Sequence, residues 1–385
     1  MKKFIIFIIM FVMYIANTNA CIFFPKNGPF EFNGINYRTV EDNCFVTGWR
    51  RVSQRLIIPK YAERCECPKI YKVVMMEPYA FTNCRTLKSV ELPSTLEEIK
   101  EGAFEKCTNL EEIWPGTGLK KIGPYAFKDC SSLSDVFLPS TIEAIGGFAF
   151  YGCSSLTDVK FSEYMNDSLK TIGYRAFGKC SSLTKIRIPE GVITIPTELF
   201  VDCTSLTSVE LPNTLGDIFS SAFLRCSSLS EITIPNNVWE IKESAFKGCS
   251  SLTTITLSSK LKNLGGNVWS NCPNITTVVC TGDNPAKADP SIFDNTIYTN
   301  ATLWVPEGTK EKYSTTSPWS RFRNIKEGDH AGIDEVYRED PTIDYSQSYE
   351  IYNLSGIQIN RDIDSLSPGV YIIRQGTIVK KIVIK

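Results

Sequence analysis

Between Cys84 and Cys272 the apolar positions of this chain return in one fixed phase. Nine cysteines stand at 84, 107, 130, 153, 180, 203, 226, 249 and 272, so the gaps are 23 residues with a single gap of 27. Counting from Cys84, the apolar set is Leu87, Val90, Leu92, Leu96, Ile99, Ala103 and Phe104, and from Cys226 it is Leu229, Ile232, Ile234, Val238, Ile241, Ala245 and Phe246. A fixed period of this length marks a solenoid, in which each repeat buries its apolar face against its neighbours. Within a repeat, a stretch such as Leu183-Thr-Lys-Ile186-Arg-Ile188 alternates apolar and polar, which predicts a strand with one face inward. Proline follows in most repeats and ends the strand, since it cannot donate to a ladder. Gly123, Gly146 and Gly173 mark a turn, and Ala-Phe-x-x-Cys is expected to form one helical or 3₁₀ turn on the opposite wall. The fold class is therefore an α/β solenoid, with a parallel sheet on one face, short helical turns on the other and a small all-β module at the C-terminus.

The flanks break the period. Residues 1–20 hold Lys2 and Lys3, an apolar run from Phe4 to Ile15 and small residues up to Ala20, the pattern of an export signal too short to span a bilayer. Residues 21–69 read as an N-terminal β cap, with a hairpin at Phe30 to Tyr37 around Asn33-Gly34. Leu56-Ile57-Ile58-Pro59 matches the strand and corner of the repeat, and an insertion occupies about 60–72. The solenoid proper is assigned to 70–280, a C-terminal cap to 281–328, a polar linker to 329–348 and a small β module to 349–385. The long gap before Cys180 places four extra residues within Ser162 to Ser168, just after a strand, as an outward bulge.

Composition narrows the chemistry. Without the first 20 residues, 39 basic side chains face 42 acidic ones, a net charge of −3 that disfavours nucleic acid or an anionic membrane as partner. One histidine, His330, makes histidine catalysis or a histidine metal cluster a poor fit. No cofactor and no metal are expected. The regularly spaced thiols would stack as parallel side chains on coils about 4.8 Å apart, whereas a disulfide needs converging Cβ atoms. They are expected to be buried, free and to act as small apolar groups. Cys280 falls where other repeats carry Leu or Ile and joins them. Cys21, Cys44, Cys65 and Cys67 remain as candidates for a bridge, with the pairing open. Cys21 is also a candidate for lipidation, against ordinary cleavage after Ala20.

The outward positions of the strands form two rows along the sheet. One reads Glu91, Trp114, Phe137, Lys160, Arg187, Glu210, and the other Ser89, Glu112, Asp135, Asp158, Lys185. Trp114 and Phe137 would be adjacent and exposed without being required by the fold, which is what a protein-binding hot spot needs. Glu112, Asp135 and Asp158 would stack as like charges, with Lys160 and Lys185 close enough to offset them. Together with Arg187 and Glu210 these residues make up the candidate partner-binding face.

The repeat Leu-x-x-[Val/Ile]-x-[Leu/Ile]-Pro-x-x-[Leu/Val]-x-x-Ile-x-x-x-Ala-Phe-x-x-Cys, met almost verbatim from Leu183 to Cys249, resembles the BspA-like branch of leucine-rich repeats. Leu199-Phe200 and Val268-Trp269 depart from Ala-Phe. The resemblance implies a non-enzymatic protein of adhesion and protein binding, with a host, matrix or other bacterial surface protein as partner. Ile351-Tyr-Asn-Leu-Ser-Gly356, Leu366-Ser-Pro-Gly-Val-Tyr-Ile-Ile373 and the basic apolar end at Lys385 look like the sorting domain of type IX secretion in Bacteroidetes. In that lineage Asp-Ser-Leu is similar to O-glycan acceptor sites, which points to Ser168 and Ser365. The expectation is an exported monomer at the cell surface or secreted, touching membrane only through a lipid anchor or export machinery. The alternatives are a structural spacer of the envelope and, remotely, a carbohydrate-active enzyme.

Overall fold

A computed structural model describes residues 29–50, 53–64, 69–162, 168–328, 348–352, 358–359, 369–375 and 378–384. The strand Pro29–Phe32 folds back on Ile35–Val40 through Asn33 and Gly34, both at positive φ, the two-residue hairpin turn that Asn-Gly favours. Ile35–Val40 then pairs with Asn43–Trp49, which joins the solenoid through Lys69–Met76. The insertion is itself a hairpin, Tyr61–Arg64 running antiparallel to Lys69–Met76. Cys44 is buried and free, its thiol directed at the Tyr71 carbonyl, so it forms no bridge. Cys21, Cys65 and Cys67 lie outside the described residues.

Each coil has three walls. The first carries the strand that alternation predicts, such as Asp135–Leu138, paired in parallel and in register with Asp158–Phe161. Alternation puts Val136 and Leu138 in the core and Asp135 and Phe137 outside. The second wall, the flank, carries a two-residue strand such as Ala144–Ile145, paired on both sides with its equivalents. The third, the turn wall, holds the Ala-Phe-x-x-Cys segment.

The turn wall departs from the helical expectation. Bonds from Ala126, Lys128 and Cys130 amides to the residue three back do form, but no helix results in any repeat. The residues five and one before each cysteine adopt positive φ, as at Tyr125 and Asp129 or Arg175 and Lys179. Each such residue costs roughly 1–2 kcal/mol for a side chain with a Cβ. The gain is that alternate amides turn outward along the solenoid axis. Tyr125, Phe127 and Asp129 donate to Gly147, Ala149 and Tyr151 of the next coil at 2.7–3.0 Å. The wall is thus hydrogen-bonded both within and between coils.

Behind it the core is a column. Phe81, Phe104, Phe127, Phe150, Phe177, Phe200, Phe223 and Phe246 stack with adjacent centroids 4.9–5.9 Å apart. Trp269, one of the departures from Ala-Phe, takes the next place, followed by Phe293. The column ends where Tyr298, Trp319 and Phe322 meet Phe293 edge-on. Beside it all nine periodic thiols are buried and free. They do more than fill space, because each from Cys107 to Cys272 donates to the phenylalanine carbonyl of the preceding coil at 3.1–3.3 Å.

The strand wall is not one continuous sheet. Seven strands, Arg55–Ile57 through Ser208–Glu210, form one sheet, and five, Glu231–Thr233 through Asn324–Glu327, form another. At the break Val209 and Leu211 are only partly buried. Nothing in the side chains explains this break. The flank ladder also stops, between Thr171–Ile172 and Thr194–Ile195. There the reason is local: Gly173 and Phe219 donate to Ile145 and Ile195, but the equivalent residue, Pro196, has no N–H to give Ile172. At the C-terminus Glu350–Tyr352, Gln358–Ile359, Gly369–Gln375 and Ile378–Ile384 form a small antiparallel sheet. No helix among the described residues is long and apolar enough to cross a membrane.

Candidate protein-binding face

The seven-stranded sheet brings the two outward rows together as their alternation requires. Glu91 pairs with Trp114, Glu112 with Asp135, Asp135 with Asp158, and Phe137 with Lys160. Trp114 and Phe137 follow Glu112 and Asp135 by two residues, so they are neighbours on adjacent strands. They are 45% and 51% exposed, although nothing in the core calls on either ring. Ile57 continues the same row toward the N-terminal edge and is also exposed.

The charges around the rings divide the face. Glu112, Asp135 and Asp158 form three like-charged positions in a line, a destabilising arrangement unless offset. Lys160 approaches Asp158 at 3.6 Å along its own strand, and Lys185 stands opposite Asp158 on the next. Arg187 reaches Glu210 at 3.7 Å. At the other end Arg55 meets Glu91 at 3.1 Å. The aromatic pair therefore sits in the acidic half, and the run of basic residues begins on the next strand, with Lys160 beside Phe137. All nine side chains expected on this face are on it, Asp158 and Glu210 partly covered and the others exposed.

Of the modification candidates, Ser168 is partly buried just after the irregular loop. Cys21 and Ser365 lie outside the described residues. Burial holds the Cys130, Cys153, Cys180, Cys226 and Cys249 thiols well above the ordinary thiol value, which disfavours a reactive thiolate at these five. No group of three or more His, Cys, Asp or Glu side chains among the described residues is arranged to hold a metal ion.

A half-buried aromatic cluster and an exposed apolar row escaped the row analysis because they lie off the strands. On the turn wall, Tyr125 stacks on Phe148 at 5.1 Å, and Tyr151 and Tyr174 meet Phe148 edge-on. Arg175 and Lys179 lie over the rings of Phe148 and Tyr151. On the flank, Ile193 and Trp239 stand exposed. The signal for the flank row was a run of non-charged residues at one repeat offset, whereas the turn-wall rings come from three different offsets.

Comparison with known proteins identifies the repeat family. The family pattern described as BspA type leucine rich repeat region matches residues 74–169 and 170–300, in six copies. No curated protein matches. Among solved structures, the leucine-rich repeat protein of T. pallidum is 28% identical, with 52% of this chain and 91% of that one covered and a TM-score of 0.46. A leucine-rich repeat protein from Bacteroides ovatus is 24% identical over 77% of this chain and 88% of the other, with a TM-score of 0.47. A leucine rich cell surface protein from Faecalibacterium prausnitzii is 20% identical over 80% and 97%, with a TM-score of 0.34.

Proposed function

The chain belongs to the BspA-type leucine-rich repeat family, and from that premise we propose that it is a non-enzymatic binding protein that holds a protein partner on its strand face. The observation that carries this is the pair Trp114 and Phe137, exposed side by side where the fold asks for no aromatic residue. Large rings with charges around them supply much of the binding energy at protein interfaces. Seven strands at about 4.8 Å give a face roughly 30 Å long, enough for a folded partner. Trp114→Ala with Phe137→Ala should weaken capture of a host, matrix or bacterial surface protein at least tenfold. Thermal stability should stay where it was, because both rings are outside the core. Unchanged capture removes this face from the account, and a protein that captures nothing through any face is a spacer.

The proposed place of action is outside the cell, at the surface or secreted. The charged start and apolar run of residues 1–20 support export, and the Gly- and Pro-punctuated C-terminal unit supports a sorting signal. Protease shaving of intact cells separates these roles. Loss of shaving when the chain ends after residue 328 makes the tail the export signal. Equal shaving of both forms leaves the tail without that role.

A further inference from the structure

On the flank, the residue just before each two-residue strand forms a row that reads Glu97, Lys120, Glu143, Lys170, Ile193, Gly216, Trp239, Lys262. In the first four coils the row alternates in sign, and Lys120 bonds Glu97 at 3.0 Å. Three coils then abandon the charges. Ile193 is 60% exposed and Trp239 42% exposed. Gly216 between them has only hydrogen, and the Trp239 indole lies over it, its Nε1 3.6 Å from where a Cβ would stand. The ladder runs on beneath, with Gly216 donating to Ile193 and Trp239 to Gly216 at 2.9 and 3.0 Å. The fold therefore accepts charge at this row and does not call for the apolar residues.

The neighbouring row adds two carboxylates. Asp217 stands directly opposite Glu240 on the adjacent strand, a like-charge pair that costs stability. One carboxylate oxygen of Asp217 is buried and has no hydrogen-bond partner. Burial first, then Glu240, push its carboxyl above the ordinary value, with Lys242 acting against both. Lys242 is only 3.8 Å from Glu240, and its ammonium also lies 4.0 Å over the Phe219 ring. The cation at hand is thus shared, and Asp217 lacks one of its own.

We propose that Ile193, Gly216 and Trp239, with Asp217 and Glu240 beside them, form a second docking surface, for a basic protein segment that sets an arginine or lysine among apolar side chains. The cation would lie against the indole and offset the charge of the two carboxylates, and the flanking apolar residues would cover Ile193. This surface is independent of the strand face.

The test uses the full chain labelled with fluorotryptophan, with the Trp239 fluorine resonance identified by Trp239→Phe. The probes are an acetylated, amidated Leu-Arg-Leu-Arg-Leu peptide and its counterpart with citrulline for arginine. The arginine peptide should shift the Trp239 resonance saturably, and the citrulline peptide should bind about tenfold more weakly. Asp217→Asn with Glu240→Gln should bring the arginine peptide down to the citrulline level. The buried Trp269 and Trp319 resonances must stay in place, which shows that the variant is folded. An unmoved Trp239 resonance, a shift at Trp114 instead, equal binding of both peptides, or a folded double variant that binds as before would each overturn the proposal.

Discussion

The turn wall and the strand wall are built by the same coils, yet only the turn wall runs unbroken. From Tyr79 to Trp269 its amides reach the next coil in every repeat, including across Pro196 and across the four-residue insertion. The strand wall divides after Ser208–Glu210 and the flank ladder after Thr171–Ile172. The difference is one of redundancy. On the turn wall the amide bonds between coils, the thiol bonds to phenylalanine carbonyls and the aromatic column all hold the same spacing. On the strand wall the ladder and two inward aliphatic rows, such as Val136 and Leu138, hold it without a stacked ring column or thiol bonds. Outward strand residues are consequently free to vary, and the candidate partner-binding residues lie there and on the flank. The turn wall keeps the coils together.

The largest way to break this comparison is alkaline pH. Burial lifts Cys107 and Cys272 from about 9 to about 12 and the thiols between them at least as far upward. The folded value exceeds the unfolded one, so each thiol contributes its stability in full below pH 9 and loses it as pH rises toward 12. The slope is at most about 1.4 kcal/mol per pH unit for each thiol, and the thiols act together. Stability in urea should be flat up to about pH 8 and then fall more steeply than exposed lysines alone would cause. Thiolate absorbance should appear only as the circular dichroism signal is lost. Thiolate formation near pH 9 in a folded chain would mean that the turn wall admits water, and its supposed advantage would be gone.

How much of this was legible depends on whether a residue's identity or its neighbour's backbone decides its place. The cysteine register, the phenylalanine column and the outward position of Trp114 and Phe137 follow from alternation and period, because burial selects those side chains directly. The left-handed residues were hidden. Tyr125, Phe148, Arg175 and Glu198 are types that rarely take positive φ, and they do so because the next coil accepts their amides. Gly102, Gly152 and Gly248, with Asn83, Asp129, Asp202, Asn267 and Asn271 at the same offsets, are the types that hint at it. That is why a helical turn was expected where none forms. The divided sheet was hidden more deeply. Ser89-Val90-Glu91 and Ser208-Val209-Glu210 are the same tripeptide, yet Val90 is fully buried between paired strands and Val209 is partly exposed at an edge. No local pattern can separate them, since pairing is set by the neighbouring coil. The flank surface around Trp239 was legible in principle, through the charge alternation that it interrupts.

A smaller effect sharpens the same contrast with single substitutions. Phe150 sits in the column with Phe127 at 5.3 Å and Phe177 at 5.5 Å, and its carbonyl also accepts the Cys180 thiol. Phe150→Ala should cost about 3–5 kcal/mol in urea denaturation, because the rings above and below cannot close a gap whose height is set by the turn-wall hydrogen bonds. Ile186, inward on the strand Lys185–Arg187, is buried as well. Ile186→Val removes one methylene and should cost about 1 kcal/mol, because the next strand, Ser208–Glu210, is a sheet edge with nothing paired beyond it and gives the wall room to settle. Phe150→Leu supplies the control for size, since it keeps an apolar filler and loses only the stacked ring. If Phe150→Leu costs as little as Ile186→Val, the column acts by volume alone and the stacking geometry adds nothing. If it stays within about 1 kcal/mol of Phe150→Ala, the ordered stack on the turn wall is what holds the coils at their spacing.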